Sequence, residues 1–216
     1  MRTINVTGRG QIRVHPDVTR ITIKLEGHYP EYAETIRMSS VETEELRMLL
    51  TPFGFERTDL KTLSFDVEPE YESYKENDEW KRKFIGYEFV HSLKVEFDSD
   101  NERLGKIMYA LANCWLNPEF QISYTVKDPE AVRNALIGKA VEDAVAKAGI
   151  LSSAAGLKLG EIQHIDYSWG RVEFEVRTTN RNLGPCCSED YEMSSIEIEP
   201  DDIEAGDTVT VCWEIV

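Results

Sequence analysis

Four histidines, four cysteines and a surplus of carboxylates are the residues of this chain that could do chemistry. His15, His28, His91 and His164 fall in separate stretches: His15 precedes a turn proline, and His91 and His164 lie within strand patterns. Nothing in their spacing assembles a metal site or a nucleophile and its base, so a satisfied structural role is expected for each. The cysteines, Cys114, Cys186, Cys187 and Cys212, include no CxxC and no Cys/His set with zinc spacing. Cys114, after an amphipathic stretch, and Cys212, within a strand, read as small apolar residues. Adjacent Cys186-Cys187 admits two readings. They are two reduced thiols in an irregular loop, or a strained and therefore labile pair that acts as a thiol switch or metal sensor. Glu189 and Asp190 beside them disfavour a thiolate. The acid pairs Glu44-Glu45, Glu189-Asp190 and Asp201-Asp202 are what solvated faces of an acidic chain contain; general acid/base catalysis needs a positioned pair with shifted pKa values.

The catalytic templates fail one by one. Gly8-Arg-Gly10 has Arg13 where a dinucleotide fingerprint needs its third glycine, and a second strand follows instead of a helix. Its glycines are expected to permit a bulge or sharp bend. No GxxxxGK[ST], HExxH or GxSxG occurs. No catalytic, cofactor-binding or metal-ligating residue is assigned, and a non-enzymatic protein without a cofactor is expected. Tyr71, Tyr74, Trp80, Tyr87, Trp169 and Trp213 could make an interaction surface, although most read as core or strand-facing.

Composition narrows the partners. With 40 acidic against 24 basic residues the net charge is −16. Phosphate backbones are bound by neutralising them with Lys and Arg, so neither nucleic acid nor an anionic membrane surface is expected as a partner. Hydrophobic content of 41% with 10% aromatics is ordinary for a soluble globular protein. No apolar run approaches the roughly 20 residues that span a bilayer. No basic and apolar leader pattern precedes the first strand, which predicts a cytoplasmic chain.

The elements that must position these residues follow from periodicity. Ile4, Val6, Ile12 and Val14, then Ile21, Ile23 and Leu25, alternate on either side of Pro16-Asp17, as two strands joined by a turn would. Pro30 to Leu50 predicts a helix with Ala33, Ile36, Ser40, Thr43, Leu46 and Leu50 on its buried stripe, ended by Pro52 and Gly54. Leu63, Phe65 and Val67, then Ile85 to Phe97, predict two strands flanking a long charged loop at 74–83. Gly86 marks a bulge or a close backbone approach. A short helix carries Leu104, Ile107, Met108 and Leu111, and a strand carries Phe120, Ile122, Tyr124 and Val126. Asp128-Pro129-Glu130 starts a third helix, whose stripe of Val132, Leu136, Ala140, Val141, Ala144, Val145 and Ala148 runs to Gly149. A strand follows near Ile162, an extended segment near Val172, Phe174 and Val176, an irregular excursion over 178–200, and a closing strand with Val209, Val211, Trp213 and Ile215. The order β-β-α-β-β-α-β-α-β-β, with one further extended segment, predicts an α+β fold: a largely antiparallel sheet under three helices, as one domain over 1–216.

These motifs together resemble the SIMPL-domain family, long known as a domain of unknown function. The opening of that family is matched by Ile4, Val6, Gly8, Gly10, Pro16, Asp17, Ile21 and Ile23, and its strand Gly-Tyr by Gly86-Tyr87. Its alanine-rich helix and trailing glycines are matched by Ala140, Ala144, Ala148, Gly156 and Gly160, and its closing pattern by Pro200, Gly206, Val209 and Val211. The family includes periplasmic immunogenic antigens of Gram-negative bacteria. The resemblance implies an α+β fold, a tendency towards homo-oligomers, and loose links to stress tolerance or signalling; it transfers no catalytic residue. The leading expectation is a cytoplasmic protein that self-assembles or binds another protein. The alternatives are a thiol or metal sensor at Cys186-Cys187 and an enzyme with a dispersed site.

Overall fold

The computed structural model describes residues 2–76, 78–167, 174–177 and 199–216. Along the chain lie β1 (Thr3–Val14), β2 (Val18–Tyr29), α1 (Tyr32–Leu50), β3 (Lys61–Glu76), β4 (Glu79–Asp98), α2 (Asn101–Ala112), β5 (Glu119–Thr125), α3 (Pro129–Ala154), β6 (Leu159–Asp166), β7 (Glu175–Arg177) and β8 (Ile203–Ile215). The fold is α+β, as the sequence predicts, with its strands shared between a sheet ordered β1-β8-β6 and a sheet ordered β3-β4-β2-β5-β7. The chain divides into two compact units: Met1–Asp17, Thr125–Val176 and Pro200–Val216 form one, Val18–Tyr124 and Arg177–Glu199 the other.

In the first unit β8 is the central strand, antiparallel to β1 and to β6. Val209, Val211 and Trp213 point to one face, where they bury against Val6 and the alanines of α3. Asp128 caps α3 by accepting a bond from the Ala131 amide, and Pro129 occupies the first turn, where its missing N–H costs nothing. The buried stripe is Leu136, Ala140, Ala144, Ala148 and Ser152, and Val145 is exposed. The helix runs through Gly149 to Ala154, past its expected end, because the left-handed residue that stops it is Gly156.

Gly8 and Gly10 have a different role from the expected bulge. The β1–β8 register is unbroken from Thr3 to Val14. A Cβ on Gly8 would lie 2.0 Å from the Ala140 carbonyl oxygen, and one on Gly10 2.2 Å from that of Leu136. The glycines therefore let α3 lie directly on the strand. Pro16-Asp17 links β1 to β2, which belong to different sheets, without the expected turn: the Asp17 carboxylate accepts the Lys127 amide at 2.8 Å, and the Asp17 amide donates to the Thr125 carbonyl.

In the second unit α1 and α2 supply Leu46, Leu50, Leu104, Ile107 and Leu111 to a core whose sheet side is Ile21, Ile23 and Leu25 of β2 and Phe89, Leu93, Val95 and Phe97 of β4. Two expectations change. The buried stripe of α1 is Thr35, Ser39, Glu42, Thr43, Leu46 and Leu50, rotated away from Ala33 and Ser40. The charged stretch at 74–83 is strand up to Glu76 and again from Glu79, and Asp78 before the second strand sits at φ 63°, a value Asp tolerates better than most residues. The greater part of the 178–200 excursion, 178–198, lies outside the described residues, as do Trp169 and Val172.

Candidate functional site

The polar half of the buried stripe on α1 meets His91 of β4. Thr43 donates its hydroxyl hydrogen to the Ser39 carbonyl at 2.7 Å, as threonines on helices often do. Its oxygen therefore accepts from His91 Nδ1 at 3.0 Å, which leaves Nε2 to accept the Thr62 hydroxyl at 2.9 Å. A one-residue register shift between Thr62 and Ser64 is what turns Thr62 of β3 towards the ring. Phe65 packs edge-on at 5.0 Å. Burial, reinforced by the Arg47 cation, pushes the imidazole below its usual pKa of 6.5, in keeping with the neutral tautomer the bonds require. Beside it Tyr29 donates to Glu42 at 2.8 Å. Burial raises the Glu42 carboxyl despite that bond, and burial with the Glu42 contact pushes the phenol to about 12. Every polar atom of the imidazole is used. The network joins α1, β3 and β4 and satisfies both ring nitrogens of His91.

The surface beyond this network is of another kind. The pairing of β2 with β4 ends at Tyr29 opposite Tyr87. From there to Glu76 and Glu79, β3 and β4 continue as an arm of two strands only among the described residues. At its root the Tyr29 carbonyl presses on Gly86, where a Cβ would lie 2.6 Å away, and the register shifts by one residue between Gly86 and Phe84. Both expectations for Gly86 are met. The shift decides which side chains share a face: it brings Phe84, Arg82 and Trp80 round to the side of Tyr87, opposite Tyr71, Ser73 and Lys75. Tyr32, Tyr87, Phe84 and Tyr71 then make successive edge-to-face contacts at 5.3, 5.2 and 5.7 Å, and the Arg82 guanidinium lies 4.8 Å from the centre of the Tyr71 ring. Trp80 is 74% exposed, and Tyr32, Tyr71 and Phe84 are exposed as well. The reverse face is mainly charged, with Glu72 opposite Lys83 and Lys81 bonded to Glu76, and it carries the exposed Tyr74 opposite Lys81.

The remaining singled-out residues stay apart. His15 bonds Asp202 at 3.2 Å, and His28 lies between Glu70 at 2.7 Å and Glu88 at 3.7 Å. His164 is exposed on β6, opposite Cys212 in register. Glu44 is held below the usual carboxylate range by bonds from Arg47 and Arg57. Cys114 and Cys212 are free thiols, half-buried. Among the described residues no three His, Cys, Asp or Glu side chains converge as a metal site. A concavity of about 510 Å³ on the first unit is lined by Arg9, Gln11, Arg13 and Glu204, with Arg13 paired to Glu204 across the strands. Cys186-Cys187, Glu189 and Asp190 lie outside the described residues. Phe84 and Arg82, which complete the aromatic face, carried no signal of their own, because the aromatics of the stretch, Tyr71, Tyr74, Trp80 and Phe84, fall at uneven spacings.

Comparison with known proteins supplies the family. The model of SIMPL, a protein of unknown function (DUF541), matches residues 4–213. The chain belongs to the SIMPL family. A 26 kDa periplasmic immunogenic protein of Brucella abortus is 27% identical over 163 residues, covering 75% of this SIMPL chain. Its counterpart in Brucella melitensis is 26% identical over the same share. The matched region spans 65% of the length of either relative. The expectation of a cytoplasmic chain is overturned, since both relatives are named as periplasmic. A solved structure of CutA from Synechococcus elongatus is similar over 60% of this chain and 95% of its own, at 13% identity and a TM-score of 0.21. No described helix is long and apolar enough to cross a membrane.

Proposed function

We propose that this SIMPL protein is a non-catalytic, periplasmic binding protein whose hairpin arm engages other protein surfaces, further copies of the chain among them. The arm carries the reading. A two-stranded hairpin is marginal in water without a third strand or a packed face, yet this one holds Tyr71, Trp80 and Phe84 exposed on a continuous aromatic face with Arg82. Aromatic residues and arginine are the groups enriched where protein surfaces bury one another. The periplasmic location rests on the two named relatives. Roles in stress tolerance or signalling would follow from what the arm holds.

Light scattering after gel filtration tests the reading on the whole chain at tens of micromolar. A particle well above the 24.8 kDa of one copy is expected. The triple substitution Tyr71→Ala, Trp80→Ala, Phe84→Ala should return it towards the monomer with an unchanged unfolding midpoint. A wild-type chain that is strictly monomeric removes self-association and leaves only hetero-partner binding. A triple variant that assembles as well as wild type removes the aromatic face.

A further inference from the structure

The two edges of the arm differ in charge. On β3, Glu70, Glu72 and Glu76 stand against Lys75 alone; on β4, the successive cations Lys81, Arg82 and Lys83 stand against Glu79 alone. Among the described residues both edges are open: β3 is the outermost strand of its sheet, and β4 has no neighbour but β3 before Tyr87. Unpaired strand edges present rows of N–H and C=O groups that take up another strand. A second copy can meet this arm in two ways. Two-fold pairing sets like strands together, acid on acid or cation on cation, and like charges directly opposite one another are destabilising. Head-to-tail pairing sets the acidic β3 edge of one arm against the cationic β4 edge of the next.

Resting on the self-association reading above, we propose that copies of this chain join head-to-tail by edge pairing of their arms, β3 of one to β4 of the next. Glu72, Glu76, Lys81 and Lys83 share one face of the arm, with Tyr74, while Tyr71, Trp80 and Phe84 share the other with Lys75 and Arg82, so the joined arms form a continuous sheet in which the glutamates of one copy lie beside the lysines of the next on a single face. Each lysine row then lies between two glutamate rows, and salt weakens the contact by screening these exposed charges.

Charge reversal separates this from other modes of assembly. Glu72, Glu76, Lys81 and Lys83 make their own cross-strand contacts within one arm, so the fourfold swap Glu72→Lys, Glu76→Lys, Lys81→Glu, Lys83→Glu preserves those contacts while inverting both edges. The swapped chain is expected to assemble with itself like wild type and to co-assemble with labelled wild type about tenfold less well, the effect of a few opposed like charges. The half-swaps Lys81→Glu/Lys83→Glu and Glu72→Lys/Glu76→Lys should each fail to self-assemble and should pair with one another when mixed. Preferential mixing of swapped and wild-type chains would establish two-fold pairing and overturn the proposal. Indifferent mixing would overturn edge pairing while self-association through the aromatic face stands. A wild-type chain that never assembles removes both.

Discussion

His91 is kept neutral by its surroundings, and that has a sign. Its folded pKa lies below 6.5, so below that pH the unfolded chain takes up a proton that the native ring refuses. The contribution of His91 to stability is therefore complete above pH 6.5 and is lost as pH falls towards the folded value. Glu42 acts in the opposite sense: its carboxyl is raised, so the native state binds a proton first and gains stability as pH falls towards 4.5. Urea unfolding of wild type should lose stability between pH 7.5 and 5.5. His91→Gln, which can still accept from Thr62 and donate to Thr43, should flatten that slope; an unchanged slope would place the titration elsewhere. Thr43→Val leaves Nδ1–H without its acceptor and should cost about 1–3 kcal/mol. The place of His91 in a strand was legible. Its partners were not, because Thr43 and Thr62 lie 48 and 29 residues away in the chain and only the packing of α1 and the shifted register of β3 bring them in.

At the scale of elements, alternation and caps were legible where a single face decides burial. β1, β2, the Asp128-Pro129 helix start and the Val209–Trp213 face follow from residue types alone. The pattern misled where a polar residue is buried with a partner, as on α1, and where charged residues sit in strands with both faces open, as in the arm. Gly8 and Gly10 were legible as special backbone positions but not as helix contacts, since the alanines they meet lie about 130 residues further on. Gly8→Ala should cost at least about 2 kcal/mol in urea unfolding, because the obstructing atom is the Ala140 backbone carbonyl and cannot swing away. A loss well under 1 kcal/mol would mean that α3 does not lie against the strand. The central position of β8 has a larger consequence. A chain ending at Gly206 loses Val209, Val211 and Trp213, each worth roughly 1.5–3 kcal/mol when buried. Against a typical stability of about 5–15 kcal/mol the remaining β1 and α3 should not hold together, and circular dichroism should show the loss of the helix. A cooperative transition at the wild-type midpoint would make the strand peripheral.

For the whole molecule the central claim is that the arm is a binding element that copies of the chain cover. A net charge of −16 sets a background of mutual repulsion, against which the cations of Lys81, Arg82 and Lys83 and the open edges of the arm are where another acidic chain can approach. Amide hydrogen exchange read by mass spectrometry at increasing protein concentration tests this most directly. Peptides covering 70–85 should exchange freely in dilute solution, as a bare two-stranded hairpin must, and become protected as concentration rises into the tens of micromolar, while peptides from β2 and α3 stay unchanged. Arm peptides whose exchange is the same at every concentration would contradict the account.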